Sequence, residues 1–131
     1  MAFAVEFVSP ERSLYSGEGT QVVARTRGGG EIAFLAGHEP FIGSLQVSEV
    51  RVTETGGSVQ SFAVRSGFVS VTGDKVTVLS DEAVPSTDID PAIARVDLDA
   101  AAEALRGDEH NSFALEDQRW AELRLRLATT A

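Results

Sequence analysis

The first two thirds of the chain alternate apolar and polar residues with a period of two. Phe3, Val5 and Phe7 fall on one face of a predicted strand, and their neighbours fall on the other. Such alternation is typical of strands that bury one face. It continues to about Val84, so residues 1–87 predict many short strands in an antiparallel sandwich or barrel.

Segments rich in glycine, proline and serine separate these strands. Gly56-Gly57 and Gly73-Asp74 each lie between two strand-like runs and predict two-residue hairpin turns. Their close spacing is what a small sandwich or barrel requires. Further turns are predicted at Ser9–Glu11, Tyr15–Gly17, Gly28–Gly30, Gly37–Pro40 and Ser66–Gly67.

The composition changes after Pro85-Ser86-Thr87. Beyond this point β-branched residues and glycine become scarce, and the helix-forming residues alanine, leucine, glutamate and arginine dominate. A first helix is predicted to begin at Asp88 or Asp90 and to end at Arg106. Residues 88–131 are therefore predicted to form a second, helical domain.

Two aspartates, Asp97 and Asp99, are candidate breaks in this first helix. A second helix is predicted over Phe113–Ala128, where Glu122 and Arg126 have the spacing of an i, i+4 pair. Its large apolar residues fall on one stripe, as a helix with one buried face requires. They are Trp120, Leu123 and Leu127. A helical hairpin is the predicted structure of this region.

The net charge of the chain limits the classes of partner that it is expected to bind. Its 131 residues include 11 basic and 20 acidic side chains, which gives a formal net charge of −9. This balance argues against nucleic acid, because phosphate binding needs clustered lysine and arginine. Cysteine is absent from the sequence, which excludes disulfides, thiolate metal sites and cysteine nucleophiles. With neither a signal peptide nor an apolar run of the ~18 residues that a membrane span needs, a cytosolic setting is expected.

No set of residues in the sequence predicts catalysis, a cofactor or a metal. Gly28-Gly29-Gly30 is not followed by the Gly-Lys-Ser/Thr of a phosphate-binding loop. His38 has neither a nucleophile in a recognisable motif nor a second histidine nearby, so it is interpreted as a turn residue. The aspartates that open the helical region are spread around a helix, which disfavours a carboxylate metal site.

Four ordered segments carry a resemblance to a known family. They are Val8–Gly17, Gly30–Pro40, Gly67–Val71 and Val76–Ala83, and together they resemble the epsilon subunit of bacterial and chloroplast F-type ATP synthases. The sequence departs from the family pattern where glycine is usual, at Ala33, Ser48 and Ser66. These departures are local, because a turn position accepts serine when φ stays negative.

The resemblance implies a fold, a function and a location. The fold is a β-sandwich of about ten strands followed by two C-terminal helices. In this family the sandwich binds the gamma subunit and the polar loops of the membrane c-ring, and the subunit is a non-catalytic part of the rotor. The expected location is the cytoplasmic face of a bacterial plasma membrane, with the stromal side of the chloroplast thylakoid as the alternative.

The resemblance also implies contact residues. The loop expected to touch the c-ring comprises Arg27, Gly28, Gly29, Gly30 and Glu31. The residues expected to face gamma are His38, Phe41 and Ile42, with the last two in one flat apolar patch. In the second helix, Arg119 and Arg126 share one side, and a detached hairpin would present them to the alpha/beta catalytic head and hinder ATP hydrolysis. The alternative is a solvated basic flank on a hairpin that stays packed, because Glu122 offers Arg126 a local partner.

Two further inferences concern ATP binding and an alternative function. Some family members bind ATP between the helices through Ile-Asp-x-x-Arg-Ala, but here Ile89-Asp90 is followed by Ile93 at the arginine position, so no nucleotide site is expected. The alternative function is a β-sandwich ligand-binding module with a helical tail. That alternative is disfavoured because the single tryptophan, Trp120, lies in the helical region rather than on the sandwich.

Overall fold

The structure, a computed structural model, describes residues 2–28 and 30–130. Nine strands in this part of the chain are followed by a single 3-10 turn at Ser86–Asp88 and two helices. The predicted sandwich with a C-terminal helical hairpin is confirmed. The strands are β1 (Phe3–Val8), β2 (Ser13–Thr26), β3 (Gly30–Leu35), β4 (Phe41–Leu45), β5 (Ser48–Glu54), β6 (Val59–Val64), β7 (Gly67–Thr72), β8 (Lys75–Leu79) and β9 (Ala83–Pro85), and the helices are α1 (Pro91–Gly107) and α2 (Ser112–Thr130).

Strand β2 belongs to both layers of the sandwich. Its first half pairs with β1, where Phe3 lies opposite Gly19, and its second half pairs with β3 and β5. The first sheet therefore has the order β2–β1–β8–β7–β4, and the second has the order β3–β2–β5–β6–β9. The two sheets also meet where β4 pairs with the end of β2, with Thr26 opposite Leu45. Because β2 contributes to each sheet, nine strands build two layers of five.

The turn predicted at Tyr15–Gly17 is wrong, because β2 runs through it without a break. Gly17 and Gly19 of β2 allow close packing instead of forming a turn, and neither has a positive φ. A Cβ on Gly17 would lie 2.6 Å from the Tyr15 hydroxyl, and one on Gly19 would lie 3.0 Å from the Thr53 carbonyl oxygen. Glycine is used here where another group approaches the backbone, as it often is within strands.

The hairpin at Gly73-Asp74 is confirmed as a two-residue turn, with Thr72 opposite Lys75. The turn at Gly56-Gly57 is longer than predicted, since four residues separate the end of β5 from the start of β6. Gly57 there has a φ of 94°, which favours glycine. One strand pair is not antiparallel, because β1 and β8 run parallel.

The main core lies between the two sheets. The predicted face of Phe3, Val5 and Phe7 is buried in it, and the ring centroids of Phe7 and Phe62 from opposite sheets are 4.3 Å apart. The Tyr15 hydroxyl at the edge of this core donates a hydrogen bond of 2.8 Å to a Glu54 carboxylate oxygen. Burial is the largest of three causes that raise the pKa of Tyr15 to about 12. The hydrogen bond to Glu54 and the negative charge of Glu54 are the other two.

The first helix begins where its caps predict and ends at Gly107, one residue beyond the predicted Arg106. The Asp90 side chain accepts a hydrogen bond from the Ala92 amide at 2.9 Å, and Pro91 occupies the first turn, where its missing donor costs nothing. Neither Asp97 nor Asp99 interrupts α1, so that expectation is wrong. The Asp97 carboxylate accepts a 2.8 Å hydrogen bond from Arg124 of α2 instead of competing for the backbone of its own helix.

The predicted stripe of α2 is confirmed, and it rests on the outer face of the second sheet. Trp120, Leu123 and Leu127 are buried against Ala63 of β6, which points away from the main core. A second, smaller core therefore lies beneath the hairpin. The structure has three layers: the first sheet, the second sheet and the helices.

Candidate protein-interaction surfaces

The outer face of the first sheet carries exposed apolar side chains. On neighbouring strands Phe68 lies opposite Leu79, which lies opposite Val8, so the three form one row across the sheet. Ile42 lies one row away on β4, where its partner on β7 is Ser70. Exposed fractions are 77% for Ile42, 55% for Phe68 and 43% for Leu79. We call these four residues the sheet patch; contiguous exposed apolar surface of this kind marks interaction sites.

The structure separates the residues expected to face gamma. Phe41 and Ile42 lie on opposite faces of β4, so they do not form one flat patch as expected. The Phe41 ring packs inward, 5.5 Å from the ring of the buried Phe34, and the His38 ring lies 5.0 Å from the same phenylalanine. The His38 Nδ1 atom lies 2.7 Å from the Glu39 carbonyl oxygen. Only Ile42 of the three belongs to the sheet patch.

Sequence reasoning missed Phe68 and Leu79, although their signal is in the strand pattern. Val69 and Val71 are buried, as are Val76 and Val78, so the alternation places Phe68 and Leu79 on the outward side. A large apolar residue on the outward side of a strand is informative when several of them meet.

The loop between β2 and β3 projects from the sandwich. Gly28 and Gly30 have φ values of 77° and 70°, and no described atom lies within 4 Å of a Cβ built on either. Gly29 lies outside the described residues. Arg27 ties the loop to β4, since its amide donates to the Ser44 carbonyl oxygen at 2.9 Å and its Nε to the Leu45 carbonyl oxygen at 3.4 Å. The two glycines are therefore free to approach another surface closely.

Glu31, at the end of this loop, is half exposed and ion-paired. It lies on the outer face of the second sheet, with carboxylate oxygens 3.5 Å from Arg25 and 3.3 Å from Arg51. Arg51 also lies 3.4 Å from Glu49, which lies 3.8 Å from Arg126 of α2. We call these five residues the charge ladder. It links the β2–β3 loop to the second helix and places Arg126 in an ion pair with the sandwich.

Arg119 differs from Arg126. It is exposed on α2 and makes no ion pair with any residue that the structure describes. The two arginines predicted to act together are therefore in different settings. Of these two arginines, Arg119 presents a guanidinium that has no carboxylate partner among the described residues.

Arg65 fastens α2 to the sandwich. Its guanidinium is hydrogen-bonded to Asp117 and lies 3.5 Å from Glu116, both on α2, and 3.7 Å from Glu82 on the sandwich. Burial acts to lower the pKa of Arg65, but the hydrogen bond and the charges of these carboxylates raise it further, so the net change is upward. The contact joins residues 52 positions apart, and the sequence offered no local signal for it.

A cavity between the two helices and the sandwich is lined by charged groups that are already paired. Arg65 is engaged as above, and Arg124 pairs with Asp97 while its guanidinium carbon lies 5.1 Å from the Trp120 ring centroid. Carboxylates from Glu82, Asp97 and Asp117 outnumber these two arginines on its walls. Such a surplus of negative charge is unfavourable for the phosphates of a nucleotide.

Two other kinds of site are absent from the described residues. These residues contain no group of three or more histidine, aspartate or glutamate side chains placed to hold a metal ion. Neither helix is both long and apolar enough to cross a membrane. What the described surface does offer is the sheet patch, the β2–β3 loop and the exposed Arg119 of α2.

Comparison with known proteins gives these surfaces a family context. Residues 2–86 match the family model of the ATP synthase delta/epsilon chain β-sandwich domain. A chain of the mitochondrial ATP synthase of Euglena gracilis has a similar fold, with a TM-score of 0.74 at 22% identity over 96% of this chain and 79% of that one. A chain of the Tetrahymena thermophila enzyme gives 0.54 at 13% identity, with 97% and 93% covered.

Curated bacterial relatives match over most of the length. The ATP synthase epsilon chain of Corynebacterium urealyticum is 38% identical over 88% of this chain and 90% of its own. That of Thioalkalivibrio sulfidiphilus is 41% identical over 80% of this chain and 74% of its own. The β-sandwich model and these relatives together cover both the sandwich and much of the hairpin, and the chain belongs to the ATP synthase epsilon-chain family.

Proposed function

We propose that this epsilon chain joins the gamma subunit to the c-ring in the central stalk of an F-type ATP synthase. In that role it catalyses nothing itself and transmits rotation driven by proton flow toward the catalytic alpha/beta head. Family membership supports the stalk role. The observation that carries the choice of surface is the difference between the two outer faces of the sandwich, since the helices cover part of one and the sheet patch lies open on the other.

The sheet patch is the proposed gamma surface. Ile42, Phe68 and Leu79 are held on paired strands, so little conformational freedom is lost when a partner covers them. Burying such side chains contributes roughly 25 cal/mol for each Å² of apolar surface removed from water. His38 and Phe41 support this surface from beneath β4 through their packing on Phe34.

The β2–β3 loop is the proposed c-ring contact. Its glycines allow the backbone to lie close against the polar loops of a neighbouring ring, and Arg27 fixes the loop's base. Glu31 contributes by holding the charge ladder in place rather than by reaching out. The proposed location of the subunit, reached through these partners, is the cytoplasmic face of a bacterial plasma membrane.

The helical hairpin is the proposed regulatory element. In its packed position Arg126 is paired with Glu49, and Arg119 is exposed. Detachment of the hairpin would release both cations to acidic segments of the catalytic head and hinder rotation in the hydrolytic direction. The paired and acidic cavity beside Trp120 favours a hairpin that does not respond to ATP.

Gamma binding tests the proposal directly. Replacing Phe68 and Leu79 together with serine removes two side chains of the sheet patch and is expected to abolish co-elution with purified gamma on a sizing column. The matched control is Val59→Ser, which changes an exposed apolar residue (58% exposed) on the second sheet. Co-elution of the double variant at the wild-type ratio, or equal loss in the control, would contradict the assignment.

A further inference from the structure

A surface groove lies where α2 meets the loops at one end of the sandwich. Arg27 and Val47 line it from the sandwich, and Phe113, Glu116 and Arg119 line it from α2. Phe113 is 80% exposed, more than any other large apolar side chain that the structure describes. Val47 forms the apolar side of the groove and packs against the small core beneath the hairpin.

The groove concentrates cations that have no carboxylate partner. In the part of the chain that the structure describes, four arginines make no ion pair, and two of them, Arg27 and Arg119, face this groove. The one carboxylate on its wall, Glu116, is 3.5 Å from Arg65 and is partly neutralised by it. The first turn of α2 carries no acidic residue, so no negative charge there offsets the positive end of the helix dipole, although the Asn111 side chain caps the helix by accepting a hydrogen bond from the Ala114 amide at 3.1 Å.

We propose that this groove binds an acidic peptide segment of a partner protein. A carboxylate of the segment lies between Arg27 and Arg119, and a neighbouring apolar side chain packs on Phe113 and Val47. Arg27 is prepared for this role because two hydrogen bonds to β4 hold it. The exposed phenylalanine distinguishes a peptide from a free anion, which would use the cations alone. Nucleic acid is disfavoured by the net charge of −9.

The groove exists only while the hairpin is packed, because the sandwich supplies one wall and α2 the other. A peptide bound there therefore favours the packed state by as much as its affinity for the two states differs. The inference goes beyond the proposed function, since the groove shares no residue with the sheet patch. It shares Arg27 with the loop proposed to contact the c-ring and Arg119 with the proposed regulatory helix, and it differs from the regulatory role because it binds its partner in the packed state.

The test is a titration of the full chain with two five-residue peptides, Glu-Leu-Glu-Leu-Glu and its uncharged match Gln-Leu-Gln-Leu-Gln, followed by amide chemical shifts. The acidic peptide is expected to shift the amides of Arg27, Phe113 and Arg119, and the uncharged one is not. Arg27→Gln and Arg119→Gln should each weaken binding about fivefold, the size expected for one partly exposed charge pair. Phe113→Ser should weaken it by a similar factor.

Two control variants make the same kinds of substitution outside the groove. Arg95→Gln removes an exposed arginine of α1, and Ile93→Ser removes an exposed apolar residue of the same helix. Both should leave peptide affinity unchanged, and all variants should keep the wild-type circular dichroism. Equal binding of the two peptides, equal weakening by Arg95→Gln, or complete displacement by inorganic phosphate at the peptide's own concentration would overturn the proposal. The gamma experiment uses other residues, so either proposal can fail while the other stands.

Discussion

Ala63 and Phe68 both point outward from the sandwich, yet their environments are opposite. Ala63 on β6 is completely buried because α2 lies on it, whereas Phe68 on β7 is 55% exposed. The small residue leaves room for Trp120, and neither of the two described helices covers the large one. The two outer faces therefore differ in what covers them, and the side chains are matched to that difference. An outward face with large apolar residues and no helix indicates a site for another protein.

The largest effect is expected when the helical hairpin, which covers part of the second sheet, is removed. Ending the chain after Thr87 is expected to leave a sandwich that unfolds cooperatively, because the core between the sheets shares no buried residue with the core beneath the hairpin. Thermal unfolding followed by β-type circular dichroism measures this. A fragment that is soluble but shows no cooperative transition would refute the division into residues 1–87 and 88–131.

The same truncation tests regulation in the assembled enzyme. Removing residues 88–131 should raise the rate of ATP hydrolysis if the hairpin restrains rotation. A Trp120→Phe variant, which keeps an aromatic side chain over Ala63, serves as the control and should stay near the wild-type rate. An unchanged rate after truncation would reduce the hairpin to a structural part.

A smaller effect is expected when the hairpin is kept but the Trp120 side chain that packs it on the sandwich is removed. Trp120→Ala should weaken hairpin docking by about 3 kcal/mol, the usual cost of deleting a buried aromatic side chain. Hydrogen exchange should then accelerate in α2 while the strands stay protected. Phe113→Ala deletes an exposed aromatic residue from the same helix and should change exchange little. If both variants behave alike, the hairpin is not held by the stripe on Ala63.

The sequence predicted the parts of this comparison that depend on local periodicity. The face of Phe3, Val5 and Phe7 and the stripe of Trp120, Leu123 and Leu127 follow directly from periods of 2 and 3.6. A hairpin such as Gly73-Asp74 follows from turn chemistry. These features depend on residues that are close together in the chain, so a single sequence is enough to predict them.

Other features depend on partners distant in the chain and were missed or misplaced. The passage of β2 from one sheet to the other at Gly19 is set by its pairing with both β1 and β5. The separation of Phe41 from Ile42 follows from the alternation of β4, but only the sheet order shows which residues join Ile42 on the outer face. The approach of Arg65 to α2 exists only in the folded chain.

The smallest effect is expected from the charged contacts around the docked helix. Arg65→Gln leaves Glu82, Glu116 and Asp117 close together without their shared cation, so hairpin docking should weaken by about 1 kcal/mol, as expected for a partly exposed ion pair. Exchange rates of α2 amides measure the change. Because these groups are partly exposed, added salt should narrow the difference between variant and wild type.

The control for this variant is Arg106→Gln, which removes the same charge from an exposed pair with Glu103 inside α1. That pair does not join the helix to the sandwich, so α2 exchange should be unchanged. Equal acceleration in the two variants would show that net charge, and not the contact of Arg65 with α2, governs docking. Acceleration in Arg65→Gln alone, reduced by salt, would show that the ion pairs of Arg65 help to hold α2 on the sandwich, in addition to the apolar contacts that Trp120 supplies.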